Sequence, residues 1–139
     1  MLTSSLLKKA NRLLIKKANE LLKPYNITHA YTSFLLELFK QNGLTQAQMC
    51  KQIGIEQPTA VRTLDRMERD GFIYRKASET DRRVFLVHLT EKALDAKKDM
   101  DNCAANLNKV ALAGFSKEEK EQFNQFIKRV NANLEKLKE

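Results

Sequence analysis

A mainly α-helical chain carrying one small β-hairpin is predicted by three features of the sequence. Apolar residues recur at helical spacing over most of the 139 residues. The period changes to two only at Ile73–Lys76 and Val84–Leu89, on either side of a polar stretch. Capping residues, glycines and prolines fall where the helical stretches start and stop. With only four glycines, two prolines and no low-complexity run, one ordered domain over residues 1–139 is expected.

The elements follow in order. The first helix spans Ser4 to Lys23, with Leu6, Leu7, Ala10, Leu13, Leu14, Ala18, Leu21 and Leu22 at helical spacing. Lys8, Arg12 and Lys16 stand four apart on another face, and Pro24 ends the helix. Thr28 N-caps a second helix bearing Tyr31, Phe34, Leu35, Leu38 and Phe39, which Gly43 stops. Thr45-Gln46-Ala47-Gln48 reads as a capping box for a short helix through Ile53, closed by Gly54. Pro58 suits the first turn of the next helix, which reaches Asp70 before Gly71. The hairpin loop is Ala77–Arg83, and Phe85, Val87 and Leu89 share one strand face. Thr90 caps a long helix to about Ala113. Ser116 with Glu119 opens the last helix, which carries Phe123, Phe126, Ile127, Val130, Leu134 and Leu137.

Composition narrows the function classes. The net charge of +8 is compatible with a nucleic acid or an anionic surface. Residues 43–90 hold eight basic and six acidic residues, so the middle is not the most basic part. A DNA argument therefore rests on geometry. Cys50 and Cys103 have no metal or redox spacing, and a reducing, cytoplasmic compartment is expected. Met1–Glu20 is basic and amphipathic like a transit peptide. Its pattern runs on to Leu22 without a cleavage-like break, so it is read as part of the fold. No window approaches a membrane span, and no membrane partner is expected. His29 and His88 have no neighbouring nucleophile or ligand motif, and there is no glycine-rich phosphate loop. Neither an enzyme nor a metal or cofactor site is expected.

The helix after Gly54 carries the functional signal. Ala60, Val61, Leu64 and Met67 are assigned to its core side, and Thr59, Arg62, Thr63 and Arg66 to the opposite side. That second face offers hydroxyl and guanidinium donors with no acid before Asp70, and Glu56 lies at its edge. Such a face suits a major groove, where Arg and Thr reach base edges and phosphates. A capped short helix, a glycine turn and this helix make a helix-turn-helix. The helix starts near Thr45, Gln46 and Gln57 present free N–H groups to phosphate. The hairpin loop ends in Asp81-Arg82-Arg83, where an arginine can enter a narrow minor groove and the acid can hold it in place.

The long amphipathic helices at both ends carry more apolar surface than one small chain can cover. Pairing with a second copy buries it, with Leu6, Leu13, Phe123, Phe126, Val130 and Leu134 as interface residues. The expected fold is a winged helix-turn-helix at residues 43–90, flanked by N- and C-terminal dimerisation helices at 1–42 and 91–139.

These motifs resemble the MarR family of bacterial regulators. The resemblance is carried by Gly43-Leu44-Thr45-Gln46, by Gln57 through Ile73, by Asp81-Arg82-Arg83 and by Leu89-Thr90-Glu91-Lys92. It implies a triangular homodimer, a recognition helix at Gln57–Asp70 and a wing at Ala77–Arg83. By the family's Asp-x-Arg pattern, Arg83 is the minor-groove arginine, Arg82 a phosphate or support residue, and Asp81 the residue that orients the wing. Val61 stands where the family often has Thr or Ser, and Ala93 where a glycine is common. The implied function is sequence-specific binding to a pseudo-palindromic duplex, as a repressor released by a small aromatic or anionic effector. Lys16, His29 and Tyr31 are the candidate effector-cleft residues.

Two other readings are distinguishable. A cysteine redox switch requires Cys50 or Cys103 to be an accessible thiolate. A helical interaction module without DNA activity would lack the steep salt dependence of phosphate binding.

Overall fold

Leucines and alanines at helical spacing build α1, Thr3–Leu22, in this computed structural model, which describes residues 1–136. Leu137, expected on the last helix, lies outside the described residues. A 3-10 turn, Lys23–Tyr25, takes Pro24 into its first positions, and Asn26 turns the chain with a left-handed φ of 58°. Helix α2, His29–Lys40, begins where Thr28 Oγ1 accepts a hydrogen bond from the Tyr31 N–H. It buries Tyr31, Phe34, Leu35 and Leu38.

Gly43 has a different role from the expected helix stop. Helix α2 ends at Lys40 with Gln41 already extended. Gly43 instead leads into a short strand, β1, Leu44–Thr45, and its N–H donates to the Val87 carbonyl at 3.1 Å. Its φ is +80°, and a Cβ there would stand 3.0 Å from the His88 ring, so both backbone and space favour glycine.

Strand β1 was not expected, because two residues are too few to show an alternation. It pairs antiparallel with β3 (Phe85–Leu89), which also pairs with β2 (Ile73–Ala77), giving a three-stranded sheet in the order β1-β3-β2. The hairpin register sets Ile73 opposite Leu89 and Ala77 opposite Phe85.

Between β1 and β2 lie α3, Gln46–Ile53, and α4, Gln57–Arg69. Both halves of the α3 capping box form: Thr45 Oγ1 accepts from the Gln48 N–H, and Gln48 Oε1 accepts from the Thr45 N–H. Gly54 closes α3 at a φ of 79°, the left-handed conformation that a helix C-terminus favours in glycine. The core joins Phe34, Leu35 and Leu38 of α2 to Met49 of α3, Leu64 and Met67 of α4, Phe72 just before β2, and Ile73 and Val87 of the sheet. Fully burying side chains of this size contributes about 1.5–3 kcal/mol each, which fixes α4 against the sheet.

Helix α5, Glu91–Ala111, starts at Thr90, whose hydroxyl donates to the Gly71 carbonyl and accepts from the Ala93 N–H. Ala93 is fully buried at this start. The chain divides into two compact units, Met1–Leu107 and the part from Asn108 onward. In the second, Ser116 and Glu119 form the expected capping box for α6, Lys117–Lys136, and Phe115 meets Phe123 edge-on with centroids 6.3 Å apart.

Candidate nucleic-acid interface

Helix α4 presents a different face from the one the sequence assigned. Its buried residues are Ala60, Thr63, Leu64 and Met67, so Thr63 replaces Val61 on the core side. Thr63 is 8% exposed and Val61 38%. The spacing i, i+3, i+4, i+7 of the observed set spans an arc of about 100°, narrower than one that includes Val61. That signal was in the sequence, but hydrophobicity outweighed it. The buried Thr63 hydroxyl is satisfied locally, donating to the Thr59 carbonyl at 3.1 Å. The exposed face therefore comprises Val61, Arg62, Asp65, Arg66, Glu68 and Arg69, with Gln57, Pro58 and Thr59 also exposed.

Asp65 belongs to this outward face, which the sequence reading took to be free of acid before Asp70. A residue of β2 counters it. Arg75 Nη2 donates to Asp65 Oδ1 at 2.8 Å, and Arg75 Nη1 stands 3.9 Å from Glu68 Oε2. The guanidinium thus ties α4 to the sheet and offsets two carboxylates on the helix. Sequence reasoning missed Arg75, since nothing in spacing ten residues away marks that pairing. Its Nε is buried without a hydrogen-bond partner.

The starts of α3 and α4 lie together, for Gln46 Nε2 reaches Gln57 Oε1 at 3.4 Å. Thr45 and Gln46 are half-buried, and Gln57 is exposed. At the hairpin tip, Asp81 Oδ1 accepts from both the backbone N–H of Arg83 at 3.0 Å and its Nε at 3.2 Å. The Arg83 side chain is nonetheless 91% exposed, so the carboxylate sets its direction and leaves its remaining donors outward. Arg82 is also exposed. The expected pairing of Asp81 with a tip arginine is thus present in the fold.

The far end of α4 is held from below. Tyr31 Oη donates to Asp70 Oδ2 at 2.6 Å, and Arg69 Nε donates to Asp70 Oδ1 at 3.0 Å. These hydrogen bonds, that of Arg69 first, hold the Asp70 carboxyl below its ordinary range. Burial and the Asp70 hydrogen bond push the Tyr31 phenol up to about 12. Lys92 closes the cluster, with Nζ on the Asp70 carbonyl at 2.6 Å and over the Phe72 ring.

Of the three candidate effector residues, the structure brings one to a cavity. A mostly apolar cavity of about 140 Å³ is lined by Leu22, Leu36, Met100 and Leu107, with His29 and Cys103 among its more polar groups. Lys16 is exposed on α1, and the Tyr31 hydroxyl is engaged by Asp70. Cys50 is buried, and the Cys103 thiol, pushed up by burial and by Asp99, donates to the Leu21 carbonyl at 3.4 Å. A raised thiol pKa works against the thiolate that a redox switch needs. Among the described residues, no helix is long and apolar enough to cross a membrane, and no group of three His, Cys, Asp or Glu could hold a metal.

A helix-turn-helix whose second helix exposes arginines, followed by a hairpin with a fixed arginine at its tip, defines a winged helix-turn-helix protein. Residues 27–85 match the model of the MarR family. This segment, which holds the core helix, the helix-turn-helix and most of the hairpin, is thus similar to the MarR family. Solved structures agree in fold over nearly the whole chain. The S. aureus MepR–DNA complex is 24% identical with a TM-score of 0.86, covering 96% of this chain and 98% of that one. The transcriptional regulator SlyA is 25% identical with a TM-score of 0.83, covering 94% and 92%. A MarR transcriptional regulator from Methanosarcina mazei Go1 is 22% identical with a TM-score of 0.84, covering 95% and 96%. The matched family model and these similar folds are those of transcription regulators.

Proposed function

We propose that the protein binds a pseudo-palindromic duplex operator as a homodimer and represses transcription until a small effector releases it. The observation that carries this reading is the pairing of two basic elements on one domain. Arg62 and Arg66 stand on the outward face of α4, and Arg83 is set by Asp81 at the tip of the hairpin that Arg75 ties to that helix. Helix α4 enters the major groove, with Gln57, Thr59, Arg62 and Arg66 toward bases and phosphates. Arg83 enters the minor groove and Arg82 meets the backbone. Thr45 and Gln46 meet phosphate at the start of α3. The S. aureus relative of the same fold, solved with DNA, supports a duplex as the partner.

Residues 43–90 act as the DNA-binding part, and the flanking helices as the dimerisation part of one regulator. Leu6 and Leu13 are exposed in the first unit, and Phe123, Phe126 and Leu134 in the second, with Val130 half-buried. A second copy covers them. The effector is a small aromatic molecule seated in the apolar cavity beside His29, whose size is near that of a cavity that admits benzene. The protein works in the cytoplasm, on the nucleoid.

Selection of binding sites from random duplex DNA, followed by affinity measurement against salt, tests the reading. Two half-sites about 34–36 Å apart are expected. With roughly 6–10 phosphate contacts, affinity falls about 10³–10⁵-fold between 50 and 200 mM salt. A salt-insensitive interaction, or no enriched sequence, overturns it.

A further inference from the structure

Val61 is the aliphatic residue on the outward face of α4. It is the fifth residue of the helix, in the half that a recognition helix turns toward base edges, and it adjoins Arg62. Its side chain is 38% exposed, while the core side of the same turns is filled by Ala60, Thr63 and Leu64. The packing of this domain therefore does not require a valine there. An isolated exposed valine is ordinary on a protein surface. On a face meant for a major groove, however, it has a narrow choice of partner. Its two methyl groups can neither donate nor accept a hydrogen bond, and the apolar feature of the major groove is the C5-methyl of thymine.

We infer that Val61 is a specificity-determining residue that reads a thymine C5-methyl in each half-site of the operator. This rests on the proposed placement of α4 in the major groove. The arginines beside it supply attraction to phosphate and to guanine, and Val61 supplies discrimination by excluding water from a methyl group. Cytosine opposite Val61 would present an amino donor to a side chain that cannot accept it, leaving that group without its water.

The test replaces thymine by deoxyuridine, which removes the methyl and nothing else. An operator is first selected from unmethylated synthetic DNA with the full-length protein. Each thymine is then replaced in turn, and symmetrically in both half-sites, and affinity is measured for the parent and for Val61→Ala. At one symmetric position the parent should lose roughly fourfold per methyl, or roughly fifteenfold for the pair. Val61→Ala should bind thymine and uracil operators within about twofold of each other at that position. Circular dichroism and sedimentation of the variant should match the parent, since the residue is exposed.

If every uracil substitution leaves the parent unchanged while a specific operator is still bound, the inference fails and the DNA-binding reading stands. If Val61→Ala keeps the full discrimination, some other residue reads the methyl and the inference fails. If selection yields no operator, both fail together.

Discussion

The Tyr31 phenol donates a 2.6 Å hydrogen bond to the Asp70 carboxylate, joining the first turn of α2 to the C-terminal end of α4. Tyr31 is 3% exposed, and its ring meets Phe72 edge-on at 5.9 Å. Asp70 also accepts from Arg69, and its carbonyl accepts from Lys92 at the start of α5. One short cluster therefore clamps the last turn of the helix proposed to read DNA.

Replacing Tyr31 by Phe should cost about 1.5–3 kcal/mol, the net worth of a hydrogen bond to a charged group. Urea unfolding measures it. The pH dependence has two ends. Asp70 has a lowered pKa, so its contribution is full above the ordinary carboxylate range and is lost as pH falls through the lowered value. Tyr31 has a raised pKa of about 12, so its contribution is full below its ordinary value of 10.0 and is lost as pH rises toward about 12. The stability difference between parent and Tyr31→Phe should be flat near neutrality and shrink at both ends. A difference that grew above pH about 10 would contradict the raised phenol.

Arg83→Ala should weaken operator binding by roughly 1–3 kcal/mol while sedimentation shows an intact dimer. Asp81→Ala should weaken it less, since the arginine remains but loses the acceptor that aims it. Fluorescence anisotropy at fixed salt separates the two. Equal affinity of Arg83→Ala and the parent would count against the wing contact.

Arg75→Met should leave folding within about 1 kcal/mol, because its ion pairs with Asp65 and Glu68 are partly solvated. It should nonetheless lower affinity for every duplex by about fivefold, as two carboxylates on α4 lose their counter-charge. Adding Asp65→Asn should recover most of that loss. No recovery would show that Arg75 acts through the sheet and not through charge.

Phe126→Glu should give a monomer by sedimentation and abolish high-affinity binding to a two-half-site operator. In the proposed dimer interface such a charge is left without a partner. A Phe126→Glu protein that remained dimeric would remove this residue from the interface.

Much of the fold is legible in local signals. The capping boxes at Thr45–Gln48 and Ser116–Glu119, the N-caps at Thr28 and Thr90, and Pro58 in the first turn of α4 all appear as expected, because each is satisfied within a few residues of chain. The polar hairpin loop and its Asp81–Arg83 pair are local in the same sense. The missed features involve choices made across the chain. Strand β1 exists because Leu44 and Thr45 meet β3 some forty residues later, and Gly43 serves that approach and not the end of α2.

The sequence alone determined the order of elements, the helix-turn-helix, the hairpin and the family they resemble, because periodicity and capping act over one or two helical turns. Tertiary structure decided which side of α4 is free. It buried Thr63 by giving its hydroxyl a backbone acceptor, left Val61 outside, and set Arg75 against Asp65 and Glu68. Such choices follow from the competition of neighbouring side chains for the same core space and the same counter-charge, and they are made only when distant segments meet.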